Sequence, residues 1–135
     1  MRTLSKSKLL AFRQCPKRLW LELFRPQLRK DSAQTQASFD VGHHVGDIAR
    51  KLYDQQGPGQ LIDPQIEGFA AAFVRTKALL NSPQPVFEAG FSAGGALAFA
   101  DVMLPLTQDG KLQWKMVEVK SSTSVKDYHR EDAAI

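Results

Sequence analysis

Apolar residues recur at helical spacing through roughly the first 80 positions of the chain and alternate with polar ones after about residue 85. Ser5 stands where it can cap a first helix, which Pro16 interrupts and Pro26 ends. The polar stretch 27–36 has no periodicity, so we predict a loop there.

Two further helices are predicted before the pattern changes. One carries its apolar residues between Phe39 and Tyr53 and ends before the Gly-Pro-Gly run at 57–59. The next begins at Asp63, which precedes a proline as a good capping residue does, and ends at the Asn-Ser-Pro run of 81–83. Its predicted apolar stripe consists of Ile66, Phe69, Ala70, Phe73 and Val74.

Three strands are predicted in the second half, at 86–91, 96–104 and 112–120, separated by glycine-containing turns at 93–95 and 108–110. A last helix begins near Val125. We therefore predict one mixed α/β domain over residues 1–135. The helices of residues 1–80 pack on a small mixed sheet that holds a three-strand meander and lies, with the candidate chemistry, in residues 85–135.

The final residues, 132–135, stop inside a helical pattern without a glycine, an asparagine or a basic last turn to end it. We therefore expect the chain to be an N-terminal fragment, truncated in its last helix, with the remainder of a parent protein after Ile135 as its partner.

From the composition we expect a soluble, cytoplasmic protein. The sequence contains no apolar run of the length that a membrane span needs, so no membrane association is predicted. The basic start is not followed by the apolar segment of a signal peptide. Cys15 is the single cysteine and cannot form an internal disulfide, which suits a reducing compartment.

Charge is unevenly distributed along the chain. Residues 1–30 hold nine basic residues and one acid, a balance of +8, whereas the other 105 residues hold nine bases and thirteen acids, a balance of −4. A basic arm on an acidic body predicts a polyanionic partner, most simply DNA, with a solvated basic helix as the alternative. The predicted DNA contacts are Lys6, Lys8, Arg13, Lys17 and Arg18.

The third predicted strand carries candidate chemistry. Side chains alternate across a strand, so Glu118 and Lys120 share one face, and a hairpin at 108–110 places Asp101 beside Glu118. Two carboxylates can bind Mg²⁺ or Mn²⁺, to which Val119 could add its backbone carbonyl. The lysine can orient water or stabilise charge on phosphorus. The alternative interpretation is a solvent-exposed ion pair.

Asp101 together with the run Glu-Val-Lys-Ser-Ser at 118–122 resembles the Asp…Glu-x-Lys signature of the PD-(D/E)XK nuclease superfamily, in its RecB-like branch. The runs Leu-Ser-Lys-Ser-Lys at 4–8 and Phe-Arg-Gln-Cys-Pro-Lys-Arg-Leu-Trp at 12–20 resemble the first helix of CRISPR-associated RecB-like exonucleases. With Val-Lys-Asp-Tyr at 125–128, the sequence is most similar to a bacterial family called domain of unknown function 2779.

This resemblance implies a restriction-endonuclease-like core, with Asp101 and Glu118 as metal ligands and Lys120 as the catalytic lysine. It also implies a supporting role for Glu88 in the first strand. The metal-binding histidine of many relatives would fall at Gly46, where His43 or His44 could substitute, the alternative being a surface histidine pair.

Relatives with an iron–sulfur cluster use one N-terminal cysteine and three later ones. Cys15 matches the first and the others are missing, so no iron–sulfur cluster is expected in this chain alone. A Gln-x-x-x-Tyr motif of the relatives would follow Ile135.

The leading hypothesis is a Mg²⁺- or Mn²⁺-dependent deoxyribonuclease, expected to be weakly active or inactive as this fragment. The alternative is a non-catalytic nucleic-acid-binding or protein-interaction module on the same fold.

Overall fold

The computed structural model describes residues 3–55 and 57–135, which form a mixed α/β arrangement of six α-helices and a mixed five-stranded sheet. Strand β1 (Leu4–Ser5) precedes α1 (Lys6–Gln14), α2 (Pro16–Phe24), a 3-10 turn (Pro26–Leu28) and α3 (Ala33–Tyr53). Next come β2 (Gln60–Leu61), α4 (Pro64–Glu67) and α5 (Phe69–Leu79). The rest comprises β3 (Val86–Ala93), β4 (Ala96–Gln108), β5 (Lys111–Val117) and α6 (Asp127–Ala134).

Local capping side chains set the starts of several helices. The Ser5 hydroxyl accepts a hydrogen bond from the backbone N of Lys8 at 3.4 Å, which confirms the predicted first cap. Pro16 occupies the first turn of α2, where its missing N–H costs no hydrogen bond, so the predicted interruption starts a second helix. Asp63 caps α4 as predicted.

Two helix predictions are wrong at their boundaries. The predicted loop 27–36 is helical from Ala33 onward, because Ser32 accepts a hydrogen bond from the backbone N of Thr35 and caps α3 early. The predicted single helix after Asp63 is divided into α4 and α5 by Gly68, whose φ of 83° lies in the left-handed region that glycine tolerates.

Strand β4 is the centre of the sheet. The strand order is β1-β4-β3-β2, and β5 also pairs with β4. The predicted meander of β3, β4 and β5 is antiparallel, and β1 and β2 add parallel pairs at β4 and β3. Sequence analysis missed β1 and β2 because a strand of two residues shows no alternation. The prediction that the first 80 residues are helical is therefore too simple.

The described core lies between α5 and the strands beneath it, where α5 residue Ala72 packs with Ile62, Val86, Ala89, Ala100 and Met103. Ala72 and Thr76 face this core, whereas Ile66 and Val74 of the predicted stripe are 86% and 72% exposed. The stripe prediction is therefore wrong for Ile66, Ala70 and Val74, which are exposed, whereas Phe69 and Phe73 of the same stripe contact Phe99 of β4. Within the described ranges, no helix is both long and apolar enough to cross a bilayer.

We expect Gly90→Val to destabilise the chain, because a side chain there would enter the packed aromatic cluster beside α5. A Cβ at Gly90 would lie 2.7 Å from Phe99 and 3.0 Å from Phe73. Overpacking of this kind costs about 1–3 kcal/mol. Gly42→Ala in α3 is the opposite-sign control, since its Cβ meets nothing within 4 Å and alanine favours a helix. Thermal unfolding of both variants checks the pair; equal melting temperatures would contradict it.

Candidate active site

Two strands approach the same edge of β4 from opposite ends and leave residues 98–101 between them. Strand β1 pairs with β4 up to Leu97, and β5 pairs back to Val102. The residues that follow the two strands, Lys6 and Glu118, therefore meet at this edge. The Lys6 Nζ donates to Glu118 Oε2 at 3.1 Å.

Asp101 lies next to the residues that follow β5. The last pair of the hairpin is Val102 with Val117, so Asp101 stands opposite Glu118 by one further step of the register. The backbone N of Val119 donates to Asp101 Oδ2 at 2.6 Å. This side-chain contact lies just beyond the last ladder pair, and β5 ends at Val117 instead of continuing to Lys120 as predicted.

Glu88 occupies a break in the pairing of β3 with β4. Its position would pair with Asp101, but the ladder skips it, and Glu88 has a φ of 56°, which is uncommon for a residue with a side chain. Ala100 and Met103, three residues apart, both belong to the core beneath α5, so the alternation of β4 slips between them. The slip coincides with Asp101 and Glu88.

A cleft of about 130 Å³ lies between α3 and the sheet at this break. Glu88, Asp101 and Val119 line it from the sheet side. From α3 it is lined by Gly42, His43, Gly46, Asp47, Ala49 and Arg50. His43 thus lines the same cleft as Asp101 and Glu88, whereas His44 does not, although both histidines are exposed.

Lys6, Glu118, Lys120 and Asp132 form what we call the ion cluster. Lys120 Nζ donates to Glu118 Oε1 at 2.8 Å and also to Asp132 Oδ2. Lys6 Nζ lies 3.1 Å from Glu118 Oε2 and 3.2 Å from Asp132 Oδ1. Each carboxylate therefore contacts both ammonium groups. Sequence analysis missed Asp132, since nothing in a short acidic helix indicates which lysine it meets.

Burial and neighbouring charges shift the pKa values of the ionisable groups in this region. Burial raises the pKa of Glu118, although Lys120 and Lys6 oppose the shift. Burial would also raise the pKa of Asp132, but the ammonium groups of Lys120 and Lys6, which contact its two oxygens, outweigh burial and lower that pKa. Burial acts to lower the pKa of Lys120, yet Asp132 and Glu118 raise it overall. Lys120 is therefore firmly protonated at neutral pH.

A second, wider cleft of about 450 Å³ opens beside Glu118 and Lys120. Basic and hydroxyl side chains line much of it, and the full lining is Glu118, Lys120, Ser122, Thr123, Ser124, Val125, His129, Arg130 and Ala133. Cationic and hydroxyl donors of this kind suit phosphate oxygens. The two clefts lie on either side of residues 118–120, which follow β5: Val119 lines the first cleft, and Glu118 and Lys120 line the second.

The predicted DNA contacts divide into paired and unpaired groups. Lys6 belongs to the ion cluster, Arg13 binds Glu131 through two hydrogen bonds, and Arg18 pairs with Glu22. Over the described ranges, no ion pair involves Lys8 or Lys17. Lys17 is exposed, which leaves its ammonium open to a partner.

Taking residues 3–55 and 57–135 together, no group of three or more His, Cys, Asp or Glu side chains is already arranged to hold a metal ion. No family model matches the chain, and neither a curated protein nor a solved structure matches it.

Glu88→Gln is expected to raise stability at neutral pH in metal-free buffer and to change it little near pH 4. Burial and the negative charges of Asp101 and Glu118 raise the pKa of Glu88 above its usual 4.5 in the folded chain. Folding then favours the protonated acid, so stability present at low pH is lost as pH rises through the folded-state pKa. Chemical denaturation in EDTA at several pH values checks this; a variant that is destabilised at pH 7 would contradict it.

Proposed function

We propose that this chain is a divalent-metal-dependent deoxyribonuclease of the PD-(D/E)XK type on a restriction-endonuclease-like core. The observation that carries the proposal is a row of three acids, Glu88, Asp101 and Glu118, at matching positions across β3, β4 and the end of β5. Lys120 lies at the end of that row, 2.8 Å from Glu118. The unusual backbone of Glu88 adds support, because strained residues cluster at functional sites.

The donor chemistry of the row fits Mg²⁺ or Mn²⁺. Hard divalent cations prefer carboxylate and carbonyl oxygens, and Glu88, Asp101 and Val119 line the cleft beneath α3. Arg50 brings a positive charge to the same cleft, and Glu118 lines the wider cleft next to it. Mutual repulsion contributes to the raised pKa of Glu88, so the acids carry negative charge that a cation would offset. Asp101 and Glu118 would be the principal ligands, with Glu88 and His43 as support and no role for His44.

Different residues of the chain would have different roles in hydrolysis. When bound, the cation would polarise the phosphodiester and make a water more acidic. The protonated Lys120 would stabilise negative charge developing on phosphorus. The wider cleft beside it, with Arg130 and the hydroxyls of 122–124, would hold the flanking phosphates.

The direct test is cleavage of labelled linear duplex and single-stranded DNA by the purified chain. We expect weak cleavage with Mn²⁺ or Mg²⁺ and none in EDTA, since two carboxylates alone cannot activate water as a bound cation does. Cleavage that persists in EDTA would reject the metal-dependent mechanism. DNA binding without cleavage under any metal would favour the alternative, a non-catalytic nucleic-acid-binding module.

DNA affinity should fall steeply as salt rises, and Lys17→Ala should reduce the slope of log affinity against log salt by about 1. The reason is that Lys17 is exposed and outside the ion pairs of the described chain. Arg18→Ala is the comparison, because Glu22 already neutralises Arg18. Fluorescence anisotropy at several salt concentrations measures both. Equal slopes for wild type and Lys17→Ala would show that Lys17 of α2 does not contact the DNA.

A further inference from the structure

The ion cluster joins two helices from opposite ends of the described chain to the candidate catalytic strand. Lys6 opens α1 and Asp132 lies in α6, and their side chains are only 16% and 10% exposed. Glu118, with an 11% exposed side chain, contacts both lysines through different oxygens. Both oxygens of the candidate metal ligand are therefore occupied by ammonium groups.

A cation that uses Glu118 must compete with these two ammonium groups. Withdrawing a partner from a largely buried charge is costly, because the remaining charge is left without solvent or a counter-ion. Asp132 reduces that cost, since it contacts Lys6 at 3.2 Å and also accepts from Lys120. When Glu118 binds a cation, both lysines still have Asp132 as an ion-pair partner.

We propose that Asp132 is a positioning residue that retains Lys6 and Lys120 when a divalent cation engages Glu118, and that Lys6 restrains cation binding. The proposal rests on the proposed function, because it assigns Glu118 to a cation site. It predicts that Asp132 and Lys6 change cation affinity in opposite directions. If Asp132 and Lys6 had a merely structural role, removing either residue would instead weaken cation binding.

In the experiment, Mn²⁺ is titrated into the purified chain in the absence of DNA, and calorimetry measures the affinity. Asp132→Asn should weaken Mn²⁺ binding by about tenfold, because both lysines then depend on Glu118. Lys6→Gln should tighten it by about threefold, because one competitor for Glu118 is removed while Asp132 still holds Lys120. Circular dichroism establishes that each variant is folded.

Glu131→Gln is the matched control on the same helix. It makes the same charge change as Asp132→Asn and loosens the contact of α6 with Arg13, but it leaves the ion cluster intact. Its Mn²⁺ affinity should stay within about twofold of wild type, because an exposed pair interacts weakly. A tenfold loss in this control would show that helix docking or net charge, not the cluster, sets the affinity.

The outcomes separate the two proposals. Should Asp101→Asn leave Mn²⁺ binding unchanged, the cation site is elsewhere and the proposed function fails together with this inference. Should Asp101→Asn abolish binding while Asp132→Asn binds as tightly as wild type, the function survives and the role of Asp132 is overturned. If Asp132→Asn does not fold, the decision passes to Lys6→Gln, for which unchanged or weaker binding overturns the inference.

Discussion

Asp101→Asn is expected to lower metal-dependent DNA cleavage by about 10²–10³-fold and to remove most Mn²⁺ binding. Asp101 stands between Glu88 and Glu118 in the register of the sheet, so a charge removed there affects the middle position of the row of acids. Asparagine still offers an oxygen to the backbone N of Val119, which Asp101 contacts at 2.6 Å. The substitution therefore removes charge while keeping the contact that shapes the strand end.

Asp109→Asn is the matched control for this substitution. Asp109 lies in the β4–β5 turn with a φ of 52°, a conformation that asparagine also tolerates. The same loss of one negative charge there should leave cleavage and Mn²⁺ binding unchanged. Cleavage rates of the two variants over a range of Mn²⁺ concentrations provide the comparison. Full activity of Asp101→Asn at saturating Mn²⁺ would argue against Asp101 as a required ligand.

Lys120→Ala has a comparably large expected effect, a fall of about 10²–10³-fold in the kcat of cleavage with little loss of DNA affinity. Its ammonium is the cationic group beside Glu118 at the mouth of the wider cleft. Because interactions confined to the transition state affect turnover more than binding, the loss should appear in kcat rather than KM.

Lys115→Ala serves as the control, since Lys115 is exposed on β5 and pairs in register with Leu104, away from the row of acids. Cleavage by this variant should equal that of wild type. Mn²⁺ affinity of Lys120→Ala should not fall, because a positive competitor beside Glu118 has been removed. Unchanged kcat in Lys120→Ala would exclude this lysine from the chemistry.

Local sequence determined the hairpin that aligns Asp101 with Glu118. Asp109 and Gly110 both have positive φ, at 52° and 72°, as the central residues of a two-residue hairpin turn do. Once that turn is set, successive pairs follow from Gln108 with Lys111 to Val102 with Val117. The caps at Ser5 and Asp63 are local in the same sense, since each side chain bonds to a backbone N within three residues. These elements could be predicted because their causes lie within a few residues.

Only the tertiary structure decided which other residues join the site. Lys6 reaches Glu118 across 112 positions, through the parallel pairing of β1 with β4, and Asp132 arrives from α6. The turn of Glu88 into the cleft depends on a slip between two strands, and the choice of His43 over His44 depends on how α3 lies against the sheet. Sequence periodicity specifies the faces of single elements, whereas these contacts depend on how separate elements pack, and that packing is decided by burial and charge across the whole chain.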